Sequence, residues 1–298
     1  MQVQRIGMIG YGEVGRTFCA GLRPQVAAID AWDVAFLHAE ASAAQRAHAG
    51  AADVLVCASM AQVCAQADLL ISAVTASNTL VVAEEAARHL RPGTVFLDLN
   101  SASPGTKQLA AERIAAAGGR YVEAGVMTSV PPYGIRVPML LGGPAAADLL
   151  PVLTAWGMGA AVVSDQLGVA SAIKMCRSVM IKGLEALVIE SYTTARAYGV
   201  EDHMVPTLQE TFPGIDWPQV GAYFFSRVVQ HGQRRAEEMR ESANTVREAG
   251  FEPFMTAAIA DKQQWVADQA KAGVFDGVDT KNDPWQAYAD RLLAQRPR

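Results

Sequence analysis

The chain lacks the features that mark nucleic-acid-binding, membrane and secreted proteins. It has no basic run, and its 25 lysines and arginines against 30 aspartates and glutamates give a net charge of −5. This balance argues against nucleic acid or an anionic membrane surface as the main partner. No apolar run is long enough to span a bilayer, and the N-terminus leads into a predicted strand rather than a signal peptide. We therefore expect a cytoplasmic protein.

Cysteine is scarce and is not arranged for metal binding. The four cysteines form no CxxC pair and have no neighbouring histidine at zinc spacing. We expect reduced thiols and no bound metal. The sequence also has no internal repeat, while 51% of its 298 residues are hydrophobic. This length and composition predict two domains, or one large one, with a sizeable core.

A glycine-rich turn near the N-terminus is the clearest motif. A predicted strand, Arg5–Ile9, runs directly into Gly10, Tyr11, Gly12, Glu13, Val14 and Gly15, and a helix is predicted to follow. Between a strand and a helix, the GxGxxG pattern is typical of dinucleotide binding. Gly10 permits the tight turn, Gly12 admits the pyrophosphate and Gly15 lets the helix pack on the strand. The helix N-terminus would then hold the phosphates.

An acidic residue at the end of the second predicted strand indicates the nucleotide preference. Rossmann units place a carboxylate about 20 residues after the glycines to bind the ribose 2′-hydroxyl. Asp30 and Asp33 both compete for this role, and Asp33 is favoured because it ends the strand, where ligands bind. A carboxylate there repels a 2′-phosphate, which predicts NAD in preference to NADP.

Strand and helix patterns then alternate, as in a doubly wound parallel sheet with helices on both faces. Further strands are predicted at 54–56, 69–75 and 94–99. Ligands bind beyond the carboxyl ends of such strands. Val74, Thr75 and Asn100 are therefore expected to line the cofactor site.

The second half is predicted to be helical and to begin with a long helix joining two domains. The segment Gly168–Gly199 has no proline and carries apolar residues at helical spacing, which predicts about 30 helical residues. One face of this helix carries Lys174, Ser178, Lys182 and Glu185, with Arg177 beside them. This face is either solvated or lines a cleft between two domains, with Lys174 as a catalytic group.

Four less specific features of the chain also give expectations. His48 has no motif around it and is expected at the surface. His231, Arg234 and Arg235 form a basic cluster, either a solvated helix face or an anion site contributed by a partner subunit. The tail, residues 275–298, is expected at the surface or at an interface. Long apolar-striped helices in the second half favour a homodimer.

With these motifs in place, the chain resembles the β-hydroxyacid dehydrogenase superfamily, which includes 6-phosphogluconate and 3-hydroxyisobutyrate dehydrogenases. Four segments carry the resemblance in order: the glycine loop, Asp98–Pro104, Tyr121–Gly143 and Lys174 on its helix. Stretches such as Phe212–Trp217 resemble a helical C-terminal domain, of uncharacterised function, fused to such NAD-binding domains. The resemblance implies an α/β Rossmann-type domain at residues 1–165 and an all-α domain at 166–298.

The resemblance also implies an activity, NAD(P)-dependent hydride transfer to or from a small hydroxy acid, and assigns site residues. Lys174 matches the family's catalytic lysine. Ser178, also predicted to be catalytic, stands where the family has an asparagine. Asn100 is predicted to be catalytic as well as cofactor-binding. The predicted substrate-binding residues are Ser101, Met127, Thr128, Ser129 and Arg177.

Two other classes of function stay open. An imine reductase would share the glycine loop and the two-domain plan but typically lacks the family lysine. A non-catalytic dinucleotide-binding sensor would need neither Lys174 nor the polar loop at Asn100 and Ser101.

Overall fold

A computed structural model describes residues 2–38, 40 and 42–295 of the chain. It divides into two compact units, the first ending at Cys176 and the second beginning at Arg177. The division falls within the helix Val169–Tyr198, later in the chain than the boundary between residues 165 and 166 expected from the sequence. Each unit has its own elements and core.

The first unit is built on an eight-stranded sheet with strand order β3-β2-β1-β4-β5-β6-β7-β8. Neighbouring strands are parallel except for β6 and β7, which are antiparallel. The strands are β1 (Arg5–Ile9), β2 (Ala28–Trp32), β3 (Leu55–Val56), β4 (Leu69–Ser72), β5 (Val95–Asp98), β6 (Arg120–Val126), β7 (Met139–Gly142) and β8 (Ala160–Ser164). The predicted Rossmann-type α/β fold is confirmed.

Helices connect most of these strands and cover both faces of the sheet. They are α1 (Glu13–Leu22), α2 (Ala43–Ala51), α3 (Met60–Gln66), α4 (Thr79–Ala87), α5 (Pro104–Ala116) and α6 (Ala146–Ala155). Successive residues of a strand point to opposite faces. Met8 and Ile9 of β1 accordingly lie in two different apolar clusters, one on each face. All four residues of β4 and of β5 are buried, as expected for central strands of a parallel sheet.

The second unit is helical, which confirms the predicted all-α second half. It contains the C-terminal part of α7 (Val169–Tyr198) with α8 (Glu201–Thr211), α9 (Trp217–Glu248), α10 (Phe254–Lys271) and α11 (Trp285–Leu293). The expectation that the tail lies at the surface or at an interface is wrong for several of its apolar residues, while residues 296–298 lie outside the described part of the chain. Trp285 and Tyr288 are buried in the core of this unit because α11 turns an apolar face inward, and Phe275 is buried in the same core. None of the helices within the described ranges is long and apolar enough to cross a membrane.

Candidate functional site

In the glycine loop between β1 and α1, backbone atoms leave no room for a side chain at two of the glycines, whereas the third has free space beside it. Gly10 has φ +93°, and a Cβ there would lie 2.4 Å from Ala73 O. A Cβ at Gly15 would lie 2.0 Å from Gly10 O, so both positions need glycine. In the described part of the chain, no heavy atom lies within 4 Å of the place that a Cβ at Gly12 would occupy. The backbone at Gly12 is therefore open to a close approach by a ligand.

The N-terminus of α1 begins at this open glycine. Gly12 is the N-cap, and no side chain of the described residues caps the helix there. The first N–H groups of a helix have no intrahelical acceptor and lie at the positive end of its dipole. Glu13 is exposed and Val14 half-buried in the first turn. The loop thus offers backbone donors to an anionic group, which is the arrangement that binds a pyrophosphate.

Tyr11 contributes to this loop through its backbone rather than its ring. The side chain is fully buried, and its ring packs against those of Phe36 and His48. Its hydroxyl lies 3.1 Å from Nδ1 of His48. Burial raises the pKa of this phenol well above its usual value. His48, expected at the surface from the sequence, is half-buried and makes this contact.

Asp33 follows β2 directly and contacts the glycine loop. One carboxylate oxygen accepts a hydrogen bond from Tyr11 N (2.6 Å) and the other from Ala35 N (2.8 Å). Asp30, the competing candidate, is buried in β2 and paired with Arg5 at 2.8 Å. Only Asp33 of these two carboxylates therefore lies where the ribose of a dinucleotide would be bound in this fold.

Asn100 links the loops that follow β4 and β5. Its side-chain oxygen accepts from Val74 N (2.7 Å), and its amide nitrogen donates to Ser72 Oγ (3.0 Å). The residue is buried, with 3% of its surface exposed. Thr75 is exposed in the same loop, and its hydroxyl accepts from the Asn78 amide at 2.7 Å. Both ends of the Asn100 amide are engaged, which favours a role in shaping the loop.

A buried charge pair that the sequence did not predict, Lys107 with Asp98, supports the loop after β5. Asp98 Oδ1 lies 2.9 Å from Lys107 Nζ and accepts from Asn100 N at 2.8 Å, while Oδ2 accepts from the Tyr121 hydroxyl. Burial, followed by the charge of Asp98, raises the pKa of Tyr121 well above its usual value. One signal could have revealed Lys107. It shares its helical face with Ala110, Ala111 and Ile114, all of which are buried.

Lys174 meets the loop after β5 through Ser101. Its Nζ donates to Ser101 Oγ at 2.6 Å, and both residues are half-buried. The first turns of α7 pass close to β6, since a Cβ at Gly125 would lie 3.4 Å from Lys174 Cβ. The first unit therefore brings together an amine, a hydroxyl and the end of β6 at the carboxyl edge of its sheet.

The predicted carboxylate-binding segment follows β6 at the same edge. Met127 and Ser129 are half-buried and Thr128 is exposed. Met127 N donates to Pro138 O at 2.9 Å, which ties the start of the segment to the end of the loop before β7. The segment therefore continues from the end of β6 with three side chains, of which only that of Thr128 is exposed.

Arg177 and Ser178 belong to the second unit. Arg177 is exposed, whereas Ser178 is buried and its hydroxyl accepts from Lys182 Nζ at 3.2 Å. Lys182 in turn pairs with Glu238 at 2.8 Å. Ser178 is therefore hydrogen-bonded to Lys182, one turn further along its own helix.

The charged face of α7 is neutralised inside the second unit. Glu185 pairs with both the Nε and a terminal nitrogen of Arg235, and Gln263 Nε2 donates to Glu185 at 3.2 Å. Glu185 and Arg235 are 1% and 8% exposed. The interpretation of these charges as a solvated face is therefore wrong for Lys182, Glu185 and Arg235.

Comparison with known families identifies the first unit. Residues 5–164 match the model of the NAD binding domain of 6-phosphogluconate dehydrogenase, which is more than half of the chain. The chain belongs to this family. Residues 195–266 match a domain of unknown function, DUF1932. The predicted combination of a 6-phosphogluconate dehydrogenase-like NAD-binding domain with an uncharacterised helical domain is thus confirmed.

Similar solved structures share this architecture over nearly the whole chain. A conserved hypothetical protein from Sinorhizobium meliloti 1021 is 38% identical, with 98% of this chain and 97% of that chain covered and a TM-score of 0.76. A conserved protein of unknown function, described as structurally similar to 3-hydroxyacid dehydrogenases, is 30% identical over 90% of this chain and 98% of that chain, with a TM-score of 0.67.

More distant structures share the fold alone. Mycobacterium tuberculosis 3-hydroxyisobutyrate dehydrogenase, solved with L-serine, is 17% identical over 99% of this chain and all of that chain, with a TM-score of 0.71. An imine reductase from Streptomyces aurantiacus is 19% identical over 98% of this chain and all of that chain, with a TM-score of 0.54. This chain therefore has a hydroxyacid dehydrogenase-like dinucleotide-binding fold, which imine reductases also share.

Proposed function

We propose that the protein is an NAD(P)-dependent oxidoreductase that transfers a hydride between nicotinamide and a small hydroxy acid, or the matching oxo acid or semialdehyde. The hydrogen bond from Lys174 Nζ to Ser101 Oγ (2.6 Å) is the observation that carries this proposal. It holds a proton-transferring amine at the edge of the sheet where open α/β folds bind their ligands.

The glycine loop fits a dinucleotide. Gly12 leaves room for a pyrophosphate, the N-terminus of α1 supplies N–H donors, and Asp33 lies against the loop to receive a ribose hydroxyl. When bound, the nicotinamide ring donates or accepts the hydride. The carboxylate of Asp33 favours NAD, because a ribose 2′-phosphate beside it would be repelled.

In this proposal the chain's own side chains orient the substrate and move its proton. Lys174 takes the hydroxyl proton during oxidation and returns it during reduction, while Ser101 holds the amine in place. Thr128 and Ser129 offer N–H and hydroxyl donors to the substrate carboxylate. Asn100 holds the loop at Val74 next to the loop that carries Ser101.

Fluorescence titration with NADH and NADPH tests the cofactor site. Wild-type protein should bind NADH at least about tenfold more tightly, equivalent to about 1.4 kcal/mol. Asp33→Asn should reduce the ratio of NADH affinity to NADPH affinity. Asp53→Asn is the matched control, since Asp53 is an exposed carboxylate of the same unit, paired with Arg23. A preference for NADPH in the wild type would refute the role given to Asp33, and no binding of either would refute the dinucleotide site.

Turnover of small hydroxy acids, followed at 340 nm with NAD⁺ and NADP⁺, tests the activity. The panel comprises 3-hydroxyisobutyrate, 3-hydroxypropionate and L-serine. Lys174→Ala should lower kcat by about 10²–10⁴-fold, the usual contribution of general acid–base catalysis, with NADH affinity retained. Lys262→Ala, which removes a lysine paired with Glu190, should leave kcat unchanged. Unchanged turnover in Lys174→Ala would refute its role, and reduction of a cyclic imine but of no oxo acid would favour the imine reductase alternative.

We also propose that the protein is a homodimer. Several large apolar side chains of the second unit are exposed, among them Met180 (65%) and Leu187 (53%) on α7 and Phe254 (78%) on α10. Met180 and Leu187 are seven residues apart and so share one face of α7, and a contiguous exposed apolar face is typical of an interaction surface. Light scattering that gives the mass of one chain would refute the dimer.

A further inference from the structure

Glu123 lies in the middle of β6, and both of its carboxylate oxygens bind the beginning of α7. Oε1 accepts from Gly168 N (2.8 Å) and Ala170 N (3.1 Å), and Oε2 accepts from the Ser171 hydroxyl at 2.7 Å. The residue is fully buried. A carboxylate that accepts three hydrogen bonds from one helical turn caps that turn, although it comes from a strand 45 residues earlier in the chain.

Two glycines make this contact possible. A Cβ at Gly142, the partner of Glu123 on β7, would lie 2.4 Å from Glu123 Oε1. A Cβ at Gly125 would lie 3.0 Å from Ala170 O, so β6 approaches α7 closely just beyond Glu123. The strand, the carboxylate and the first helical turn therefore form one packed unit in which the helix start has little freedom to shift.

The capped turn leads directly to Lys174. Residues four apart are neighbours on a helix, and Lys174 follows Ala170 by one turn. A displacement of the turn at Ala170 would therefore move the Lys174 amine away from Ser101 Oγ, which it contacts at 2.6 Å. The carboxylate also lies at the positive end of the α7 dipole, where a negative charge is stabilised.

We propose that Glu123 is a positioning residue, which fixes the first turn of α7 and so places Lys174 beside Ser101. This inference rests on the proposed function of Lys174. Glu123 touches neither the predicted substrate segment nor the glycine loop in the described hydrogen bonds, so it acts through the helix. A small misplacement of a catalytic group costs up to about 10²-fold in rate.

The test compares Glu123→Ala, Glu123→Gln and the control Asp68→Ala. Asp68 also accepts two backbone N–H bonds, from Gln4 and Arg5, but at the opposite edge of the sheet, where β1 begins. With 3-hydroxyisobutyrate or another active acid of the panel, Glu123→Ala should lower kcat about 10–100-fold without changing NADH affinity. Glu123→Gln, which retains an oxygen acceptor, should recover most of the loss, and Asp68→Ala should keep wild-type kcat.

A second measurement does not depend on activity. Amide hydrogen exchange over residues 168–174 should accelerate in Glu123→Ala and remain slow in Asp68→Ala. Wild-type kcat in a folded Glu123→Ala, or an equal loss in Asp68→Ala, would overturn the proposal. If Lys174→Ala retains activity, the proposed function fails, and the exchange rates still decide whether Glu123 fixes the helix. Should Glu123→Ala not fold, Glu123→Gln and Ser171→Ala give the same comparison with smaller expected effects.

Discussion

Replacing Lys107 with methionine would remove one partner of the buried charge pair that supports the loop after β5. Lys107 and Asp98 are 1% and 0% exposed, and their charged atoms lie 2.9 Å apart. Methionine retains most of the apolar stem, so the change removes the ammonium group with little loss of packing. Asp98 would then keep only the hydrogen bonds from Asn100 N and the Tyr121 hydroxyl.

The expected cost follows from leaving a carboxylate buried without its counter-charge. Removing one partner of a buried ion pair typically costs about 3–5 kcal/mol. The two remaining hydrogen bonds to Asp98 place this case near the lower limit, at about 3 kcal/mol. For a unit of this size each kcal/mol lowers Tm by about 2–4 °C, so we expect a decrease of about 6–12 °C.

Calorimetry of the full chain would measure this loss, and the first unit's transition is identified by its rise in Tm with added NADH. The double variant Lys107→Met/Asp98→Asn removes both charges and should recover at least about 1 kcal/mol relative to Lys107→Met alone. Lys262→Met, which breaks the more exposed pair with Glu190 (3.3 Å), should cost less than about 1 kcal/mol. A loss in Lys107→Met no larger than in this control would refute the reasoning.

Further predictions concern the glycine loop and the thiols. Gly12→Ala should cost less than about 1 kcal/mol in unfolding free energy, because no heavy atom of the described residues lies within 4 Å of the added methyl group. It should weaken NADH binding at least about tenfold, because the proposed pyrophosphate would meet that methyl group. Gly15→Ala should destabilise the fold by about 1–3 kcal/mol, since its Cβ would clash with Gly10 O, and wild-type stability by denaturant titration would contradict this. Burial raises the pKa of Cys57 to about 11, so at pH 8 only about one thiol in 10³ is ionised there. Iodoacetamide should therefore label the exposed Cys176 first, and mass spectrometry that finds Cys57 labelled equally fast would refute the burial argument.

The local elements of this fold could be predicted because their signals are local. The glycine turn, the apolar strands and the proline-free helix each show within a short window of sequence. Glu123 and Glu185 show no such signal, since their partners lie 45 and 50 residues away in the chain. A charged residue in an apolar segment indicates burial with a partner but does not identify the partner. That identity depends on which strands and helices become neighbours.

A common arrangement links the side chains at the carboxyl edge of the sheet. Asp33 after β2, Asp98 at the end of β5 and Glu123 within β6 each accept a hydrogen bond from the backbone of a nearby loop or helix start. Each carboxylate lies in or directly after a strand, and each binds a segment that carries a predicted site residue. These hydrogen bonds hold the three segments in place, and in the proposed function they preorganise the groups that bind the substrate and move its proton. Asp68 binds backbone N–H groups at the opposite edge, so a carboxylate of this kind does not by itself mark a site. The proposed function is supported instead by what the three carboxylates at the carboxyl edge hold, namely the glycine loop, the loop of Asn100 and the helix of Lys174.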